Sequence, residues 1–138
     1  MDKILGGAHR KYLLILSCSE RKKAIPKAEA LDLYDGQFFR ILRKNMPPKL
    51  DVLILSAKYG LIKSDEYIEH YDQIMSITRA EELAEAVKTR LSKIMEANCY
   101  NGVFVNLGKT YMIALERSKE ILDIMFLTLS RKKWILRC

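Results

Sequence analysis

Tyr12-Leu13-Leu14-Ile15-Leu16-Ser17 and Val52-Leu53-Ile54-Leu55-Ser56 are the two segments that decide the fold. Each is a short, continuous apolar run that ends on a serine, a pattern typical of a strand buried on both faces of a sheet. We predict strands over Lys11 to Ser17 and Asp51 to Ser56, with a helix between them. The order strand, helix, strand favours a parallel pair with a right-handed crossover.

The first helix is expected to start at Asp35, which is placed as its N-cap. Phe38, Ile41 and Leu42 follow at helical spacing and are predicted to form its buried face. The segment Met46-Pro47-Pro48 ends this helix, because the residue before a proline avoids helical geometry.

A longer helix is predicted from Arg79 to about Ala97, opened by a capping box of Thr78 and Glu81. Its apolar face repeats at spacings of three and four residues. The residues of this face are Leu83, Val87, Leu91, Ile94 and Met95. Such a stripe predicts a helix packed on a sheet.

The other elements complete an α/β pattern. They are long connections over Cys18 to Ala30 and Lys58 to Ile77, a strand over Val103 to Asn106, a short helix over Tyr111 to Lys119, a strand over Ile121 to Leu129, and an edge element at Trp134-Ile135-Leu136. This order predicts a three-layer α/β/α sandwich with a mainly parallel sheet of four to five strands, Rossmann-like or uracil-DNA-glycosylase-like.

Length and composition predict a single α/β domain over residues 1–138. The chain is 49% hydrophobic and 30% charged. Residues 1–9 are expected to be a loose lead-in, and residues 130–138 form a basic segment with four cationic side chains and no acidic one. No apolar run approaches the roughly 20 residues of a membrane span, and no signal-peptide core stands at the start. We therefore expect a cytoplasmic protein without membrane association.

The formal net charge of +7 favours an anionic partner, either a nucleotide or a polymer such as RNA or DNA. The basic segment is equally consistent with a solvated tail or with a last strand that has charged flanks. The three cysteines lack metal-ligand spacing, and no second His, Cys or acid stands at ligand spacing around His70. We therefore predict no metal site and no cofactor, and the residues leave the oligomeric state open.

The carboxyl ends of the strands are the expected place of the chemistry, because ligands of open α/β sheets bind there. The candidate catalytic residues are Lys22, Lys58, His70 and Asp72. Two converging lysines can neutralise a phosphate or carboxylate, and a histidine beside an acid suits proton transfer. The candidate substrate-binding residues are Ser17, Cys18, Ser19, Tyr34, Ser56, Tyr59, Gly60, Tyr71, Gly108 and Lys109, with Tyr59 and Tyr71 expected to stack on a ring.

Several of these candidates have a second interpretation. Lys22 and Lys58 are also consistent with solvated loop lysines, and His70 with a structural hydrogen-bond partner of the neighbouring tyrosines. Gly108-Lys109-Thr110 resembles the end of a phosphate-binding loop, but Val103 stands where that motif has its first glycine. An N–H-rich turn that holds one phosphate remains, as does a plain strand-to-helix turn. Cys18 lies among cations that favour a thiolate, yet buried cysteines are common and no histidine stands nearby in sequence.

The same residues resemble an uncharacterised prokaryotic and phage family, catalogued as a domain of unknown function. The resemblance rests on Ser17-Cys18-Ser19-x-x-Lys22, Ala28-x-Ala30-x-Asp32-Leu33-Tyr34-x-Gly36-x-x-Phe39, Ile54-Leu55-Ser56-Ala57-Lys58-Tyr59-Gly60-Leu61 and Tyr71-Asp72. Its sheet is similar to that of uracil-DNA glycosylases. Cys18-x-x-x-Lys22 is also distantly similar to a motif of archaeosine synthase, although Lys23 and Ala24 replace its proline and tyrosine.

The resemblance implies a nucleobase or nucleotide pocket and a role in nucleic-acid or nucleotide modification. Three hypotheses stay open from the sequence. The chain is an enzyme acting on a base or glycosidic bond, a non-catalytic module that senses a ligand in the same pocket, or a nucleic-acid-binding protein that uses its basic surface.

Overall fold

The computed structural model describes residues 11–122. Its strands are β1 (Tyr12–Ser17), β2 (Lys27–Glu29), β3 (Leu50–Ser56), β4 (Gly60–Lys63), β5 (Tyr67–Glu69) and β6 (Gly102–Asn106). Its helices are α1 (Ala30–Leu33), α2 (Gln37–Lys44), α3 (Ile77–Ala97) and α4 (Lys109–Leu115), and a 3-10 turn follows at Glu116–Ser118. The predicted lead-in at 1–9, the basic segment at 130–138 and the edge element at 134–136 lie outside the described residues.

Within residues 11–122, the main sheet has four strands in the order β4-β3-β1-β6. β1 runs parallel to both β3 and β6, with Leu14 opposite Val52 on one side and Phe104 on the other. β4 is antiparallel to β3 at one edge. The prediction of an α/β fold with a mainly parallel sheet is therefore confirmed, and the three parallel strands end along one edge.

Both faces of β1 are buried, which explains its uninterrupted apolar sequence. Leu13 and Ile15 pack into a core that also contains apolar residues of α3 and α4. Leu14 and Leu16 pack into a second core with residues of α1 and α2. Because side chains alternate across a strand, one apolar run supplies both cores.

The two predicted loops contain regular structure. The first carries β2 and α1, and the second carries β4 and β5. β2 and β5 pair with each other in an antiparallel two-stranded sheet. Segments of three or four residues are too short for an alternating pattern to be recognised in sequence, so only the tertiary pairing defines these strands.

The first predicted helix has its boundary and buried face displaced. Its N-cap is Gly36, and its buried residues are Phe39 and Leu42. Phe38 and Ile41 are 39% and 50% exposed, so their assignment to the core was wrong. Phe39 with Leu42 and Phe38 with Ile41 have the same three-residue spacing. Only the position of the sheet decides which pair is buried.

Asp35 is not the N-cap of this helix, as the sequence had predicted, and it forms salt bridges with two arginines instead. Its carboxylate lies 2.9 Å from Arg40 and 2.7 Å from Arg43. Hydrogen bonds from Arg40 and then Arg43 lower the pKa of Asp35 below its ordinary value. Arg43 also donates to the Tyr34 carbonyl at 2.8 Å, which ties the end of α1 to α2.

α3 buries most of the predicted face, namely Leu83, Val87, Leu91 and Ile94. Its N-cap is Ser76, whose hydroxyl accepts the Arg79 N–H at 3.1 Å, so the predicted capping box at Thr78 was wrong. α4 starts at Lys109, two residues before the predicted start. Residues 119–122 are helical, so the predicted fourth strand does not begin at Ile121, and its remainder lies outside the described part.

Membrane insertion was not expected from the sequence. Within residues 11–122, none of the helices combines the length and the apolar character that crossing a bilayer demands.

Candidate functional site

A cavity of about 420 Å³ opens beyond the carboxyl end of β1. Its volume falls within the roughly 300–1,000 Å³ typical of small-molecule sites. The cavity is lined by Cys18, Ser19, Glu20, Lys22, Asp72, Gln73, Ile74 and Tyr111. Four of the sequence candidates, Cys18, Ser19, Lys22 and Asp72, are thus brought together.

The segment after β1 is held against the neighbouring strand and α1. The Cys18 N–H donates to the Leu55 carbonyl at 3.0 Å, which extends the sheet contact by one residue. Lys22 forms an isolated antiparallel bridge with Tyr34. These contacts fix the backbone of the segment that lines the cavity.

Three hydroxyl groups form a buried cluster behind the lysines. Tyr71 Oη lies 2.6 Å from Tyr34 Oη and 2.8 Å from Ser56 Oγ. Tyr34 and Ser56 are fully buried, and Tyr71 is nearly so. Burial raises the pKa of both tyrosines, and Cys18 adds to the rise. The two phenols are therefore neutral hydrogen-bonding groups near pH 7.

Lys22 and Lys58 both approach the ring of Tyr71. The Lys22 ammonium lies 4.4 Å from the Tyr71 ring centroid and the Lys58 ammonium 6.0 Å from it. Lys22 also stands 5.8 Å from the Tyr34 ring, and Lys58 stands 5.3 Å from the Tyr59 ring. At these separations a cation is attracted to the face of an aromatic ring.

In the turn that carries Lys58, both backbone N–H groups and backbone carbonyls are hydrogen-bonded to side chains. Ser56 Oγ accepts the N–H groups of Lys58 at 3.2 Å and Tyr59 at 3.0 Å. Arg79 donates to the Ala57 carbonyl at 2.7 Å and to the Lys58 carbonyl at 2.8 Å. Gly60 ends the turn at a φ of 77°, a conformation that favours glycine.

Arg79 was missed by sequence reasoning. An arginine in the first turn of a helix gives no signal that it reaches back to a turn 21 residues earlier, which only the fold brings close. Gln73 and Ile74 were missed for a related reason, since they follow Tyr71-Asp72 in what reads as an ordinary polar connection.

Cys18 and Tyr111 meet at the wall of the cavity. Cys18 is a free thiol, and its sulfur lies 3.3 Å from Tyr111 Oη. Burial, followed by the hydrogen bond to Cys18, raises the pKa of Tyr111. Tyr111 was not proposed as a site residue, although its place in the first turns of a helix after a parallel strand is a signal for this edge of the sheet.

A second cavity of about 240 Å³ lies on the other side of Cys18 and Ser19. It includes Ser17 and the start of α2 at Gly36 in its lining. The Gly36 N–H donates to Ser19 Oγ at 3.2 Å, and Ser19 Oγ donates to the Arg21 carbonyl at 2.7 Å. A Cβ at Gly36 would lie 2.9 Å from the Ser19 Cβ, so this close approach requires glycine.

The remaining candidates do not line either cavity. His70 is exposed, and its backbone N–H donates to the Pro26 carbonyl at 2.8 Å. Tyr59 Oη accepts the Glu69 N–H at 3.2 Å, which attaches Tyr59 to β5. Gly108 caps α4, and both it and Lys109 are exposed at the end of β6.

Metal binding was not expected from the sequence. Residues 11–122 contain no group of three or more His, Cys, Asp or Glu side chains arranged to hold a metal ion.

Comparison with known proteins gives one family. A model described as a family of unknown function (DUF6884) matches residues 13–128. No curated protein and no solved structure shows significant similarity to the chain. The expected membership of a family of unknown function is confirmed, while the likeness to uracil-DNA glycosylases and to archaeosine synthase stays a prediction.

Proposed function

We propose that this chain, which belongs to the DUF6884 family of unknown function, binds a nucleobase or nucleotide in the cavity beyond β1. The observation that carries the proposal is the convergence of Lys22, Asp72 and Gln73 in one cavity of ligand size. Polar side chains that converge in a concave site are the usual basis of small-molecule recognition.

The chemistry of the lining suits a flat heterocycle. The Asp72 carboxylate accepts N–H groups, the Lys22 ammonium donates, and the Gln73 amide does both. Ile74 and Tyr111 supply the apolar contacts that a ring face needs. In this proposal Tyr71, which is buried, supports the lysines, and Tyr111 replaces it as the aromatic contact to the ring.

We extend the proposal to catalysis of a modification on a base or glycosidic bond. Lys22 and Asp72 line the cavity and would move protons or hold the substrate. Lys58 contacts the same Tyr71 ring as Lys22, but neither Lys58 nor His70 belongs to the lining. A three-layer sandwich of the uracil-DNA-glycosylase kind would fit this activity, since helices contribute to the cores on both faces of the sheet.

The second candidate is a nucleic-acid-binding protein that acts through its basic surface. The net charge of +7 favours it. Binding of this kind weakens steeply as salt rises, because each phosphate contact releases counterions. A ligand held in a cavity by directional hydrogen bonds depends much less on salt.

A thermal-shift screen of bases, nucleosides and nucleotides tests the first candidate. A ligand present at 100 times its Kd stabilises the native state by about 2.7 kcal/mol. We expect at least one compound to raise the Tm, and Asp72→Asn to remove that increase.

Asp32→Asn is the matched control, because Asp32 is exposed and does not line the cavity. It should leave the increase in Tm intact. The proposal fails if no compound raises the Tm. It also fails if the chain binds RNA or DNA in a steeply salt-dependent manner that Asp72→Asn does not alter.

A further inference from the structure

Two lysines from separate segments share one aromatic support. Lys22 follows β1 and Lys58 follows β3, yet both ammonium groups lie within 6.0 Å of the Tyr71 ring centroid. The parallel pairing of β1 with β3 produces this approach, because it ends both strands at one edge. The contact of both ammonium groups with one ring is therefore a product of the tertiary fold.

Neither ammonium forms a salt bridge within residues 11–122, although the carboxylates of Glu20 and Asp72 line the same cavity as Lys22. The salt bridges there involve Lys11 and five arginines. The Lys22 ammonium donates to the Glu20 carbonyl at 3.3 Å, a neutral acceptor. An aromatic face attracts a cation but does not neutralise its charge.

The Tyr71 ring is held in place by burial and hydrogen bonds. Tyr71 is 6% exposed, and its phenol oxygen is hydrogen-bonded to both Tyr34 and Ser56. Ser56 also accepts the Lys58 N–H, while Arg79 binds the Lys58 carbonyl. The same cluster thus orients the ring and the backbone of one lysine before any ligand arrives.

We propose that Lys22 and Lys58 bind a phosphate group at the mouth of the cavity and that the ligand is a nucleotide rather than a free base. A phosphate carries concentrated negative charge and several acceptor oxygens, which two ammonium groups can bind together. Tyr71 is the positioning residue for both lysines. The inference rests on the proposed function and adds the phosphate to it.

Calorimetry with a nucleoside and its 5′-monophosphate tests the inference. Charge-assisted hydrogen bonds are stronger than neutral ones, so the monophosphate should bind at least about tenfold more tightly than the nucleoside. Lys58→Gln should remove this preference. Lys93→Gln, an exposed lysine on α3, is the matched control and should preserve the preference.

The positioning role of Tyr71 is tested by asking whether the preference for the monophosphate requires its aromatic ring. Tyr71→Leu removes the ring and should abolish the preference for the monophosphate, whereas Tyr71→Phe keeps the ring and should restore it. If Tyr71→Leu does not fold, Tyr71→Phe and Lys58→Gln decide the question. Retention of the preference in folded Tyr71→Leu would overturn the role of the ring.

The outcomes separate the two proposals. Equal affinity for the nucleoside and the monophosphate would overturn the phosphate site and leave the nucleobase cavity in place. Inorganic phosphate alone is the third ligand, and we expect Lys58→Gln to weaken its binding as well. Absence of binding by both the nucleoside and the monophosphate would overturn the phosphate inference together with the proposed function.

Discussion

Tyr34 Oη lies 2.6 Å from Tyr71 Oη, although the two residues are 37 positions apart in the chain. Their rings meet edge to face, with centroids 6.3 Å apart and planes at 84°. The contact joins the end of α1 to the connection after β5 and places Tyr71 beneath the two lysines. One phenol pair therefore links the stability of the fold to the geometry of the candidate site.

Replacing Tyr34 with phenylalanine should destabilise the protein by about 0.5–1.5 kcal/mol, because the buried Tyr71 hydroxyl loses one hydrogen bond and keeps the one to Ser56. Urea unfolding measures the change. Tyr67→Phe is the control, since Tyr67 is 70% exposed, and it should alter the free energy of unfolding very little. A Tyr34→Phe variant as stable as the parent would contradict the structural role of the pair.

Stability should fall at alkaline pH. The pKa values of Tyr34 and Tyr71 are raised in the folded protein, above the ordinary value of about 10 for tyrosine. Below pH 10 both states are protonated and the contribution to stability is complete. Above about pH 10 the unfolded chain loses protons that the folded protein retains, so the free energy of unfolding decreases until the raised folded pKa values are passed.

Urea midpoints measured at increasing pH test this dependence. The decrease should be shallower in Tyr34→Phe than in the parent protein, because one of the contributing phenols is gone. Tyr67→Phe should follow the parent curve. An identical alkaline slope in all three proteins would show that the Tyr34 phenol does not contribute.

Arg79→Ala should destabilise the protein by about 1–3 kcal/mol and weaken binding of the proposed ligand. The substitution leaves the Ala57 and Lys58 carbonyls without their charged donor. Arg117→Ala is the control, because its ion pair with Glu85 is more than half exposed and such pairs contribute only about 0–1 kcal/mol. Equal effects of the two substitutions on ligand affinity would argue against a role of Arg79 in holding the turn.

Ser76→Ala should cost about 0.5–2 kcal/mol through loss of the N-cap hydrogen bond of α3. Thr78→Ala removes the residue that the sequence pattern favoured as the cap, and it should have a much smaller effect. Thermal unfolding of the two variants gives the comparison. A larger loss of stability in Thr78→Ala than in Ser76→Ala would support the capping box predicted from sequence.

Several features of the fold were predictable because they depend on local pattern. The apolar runs of β1 and β3 identify buried strands, and the three-and-four spacing of Leu83, Val87 and Leu91 identifies the buried face of α3. The short strands β4 and β5 were missed, because a few residues contain too little periodicity to be recognised. Phe38 and Phe39 show what stayed ambiguous. Each starts an apolar pair of the same helical spacing, so the sequence did not specify which of the two faces the core.

The sequence by itself determined the α/β class, the parallel core and the polar segments that follow the strands, because burial on both faces demands uninterrupted apolar runs. Only the tertiary structure decided which polar side chains meet. It brought Asp72 and Gln73 beside Cys18 and Lys22, set Tyr71 beneath two lysines, and left His70 outside the cavity. Such contacts join residues distant in the chain, and their geometry depends on packing and hydrogen bonding that no local pattern specifies.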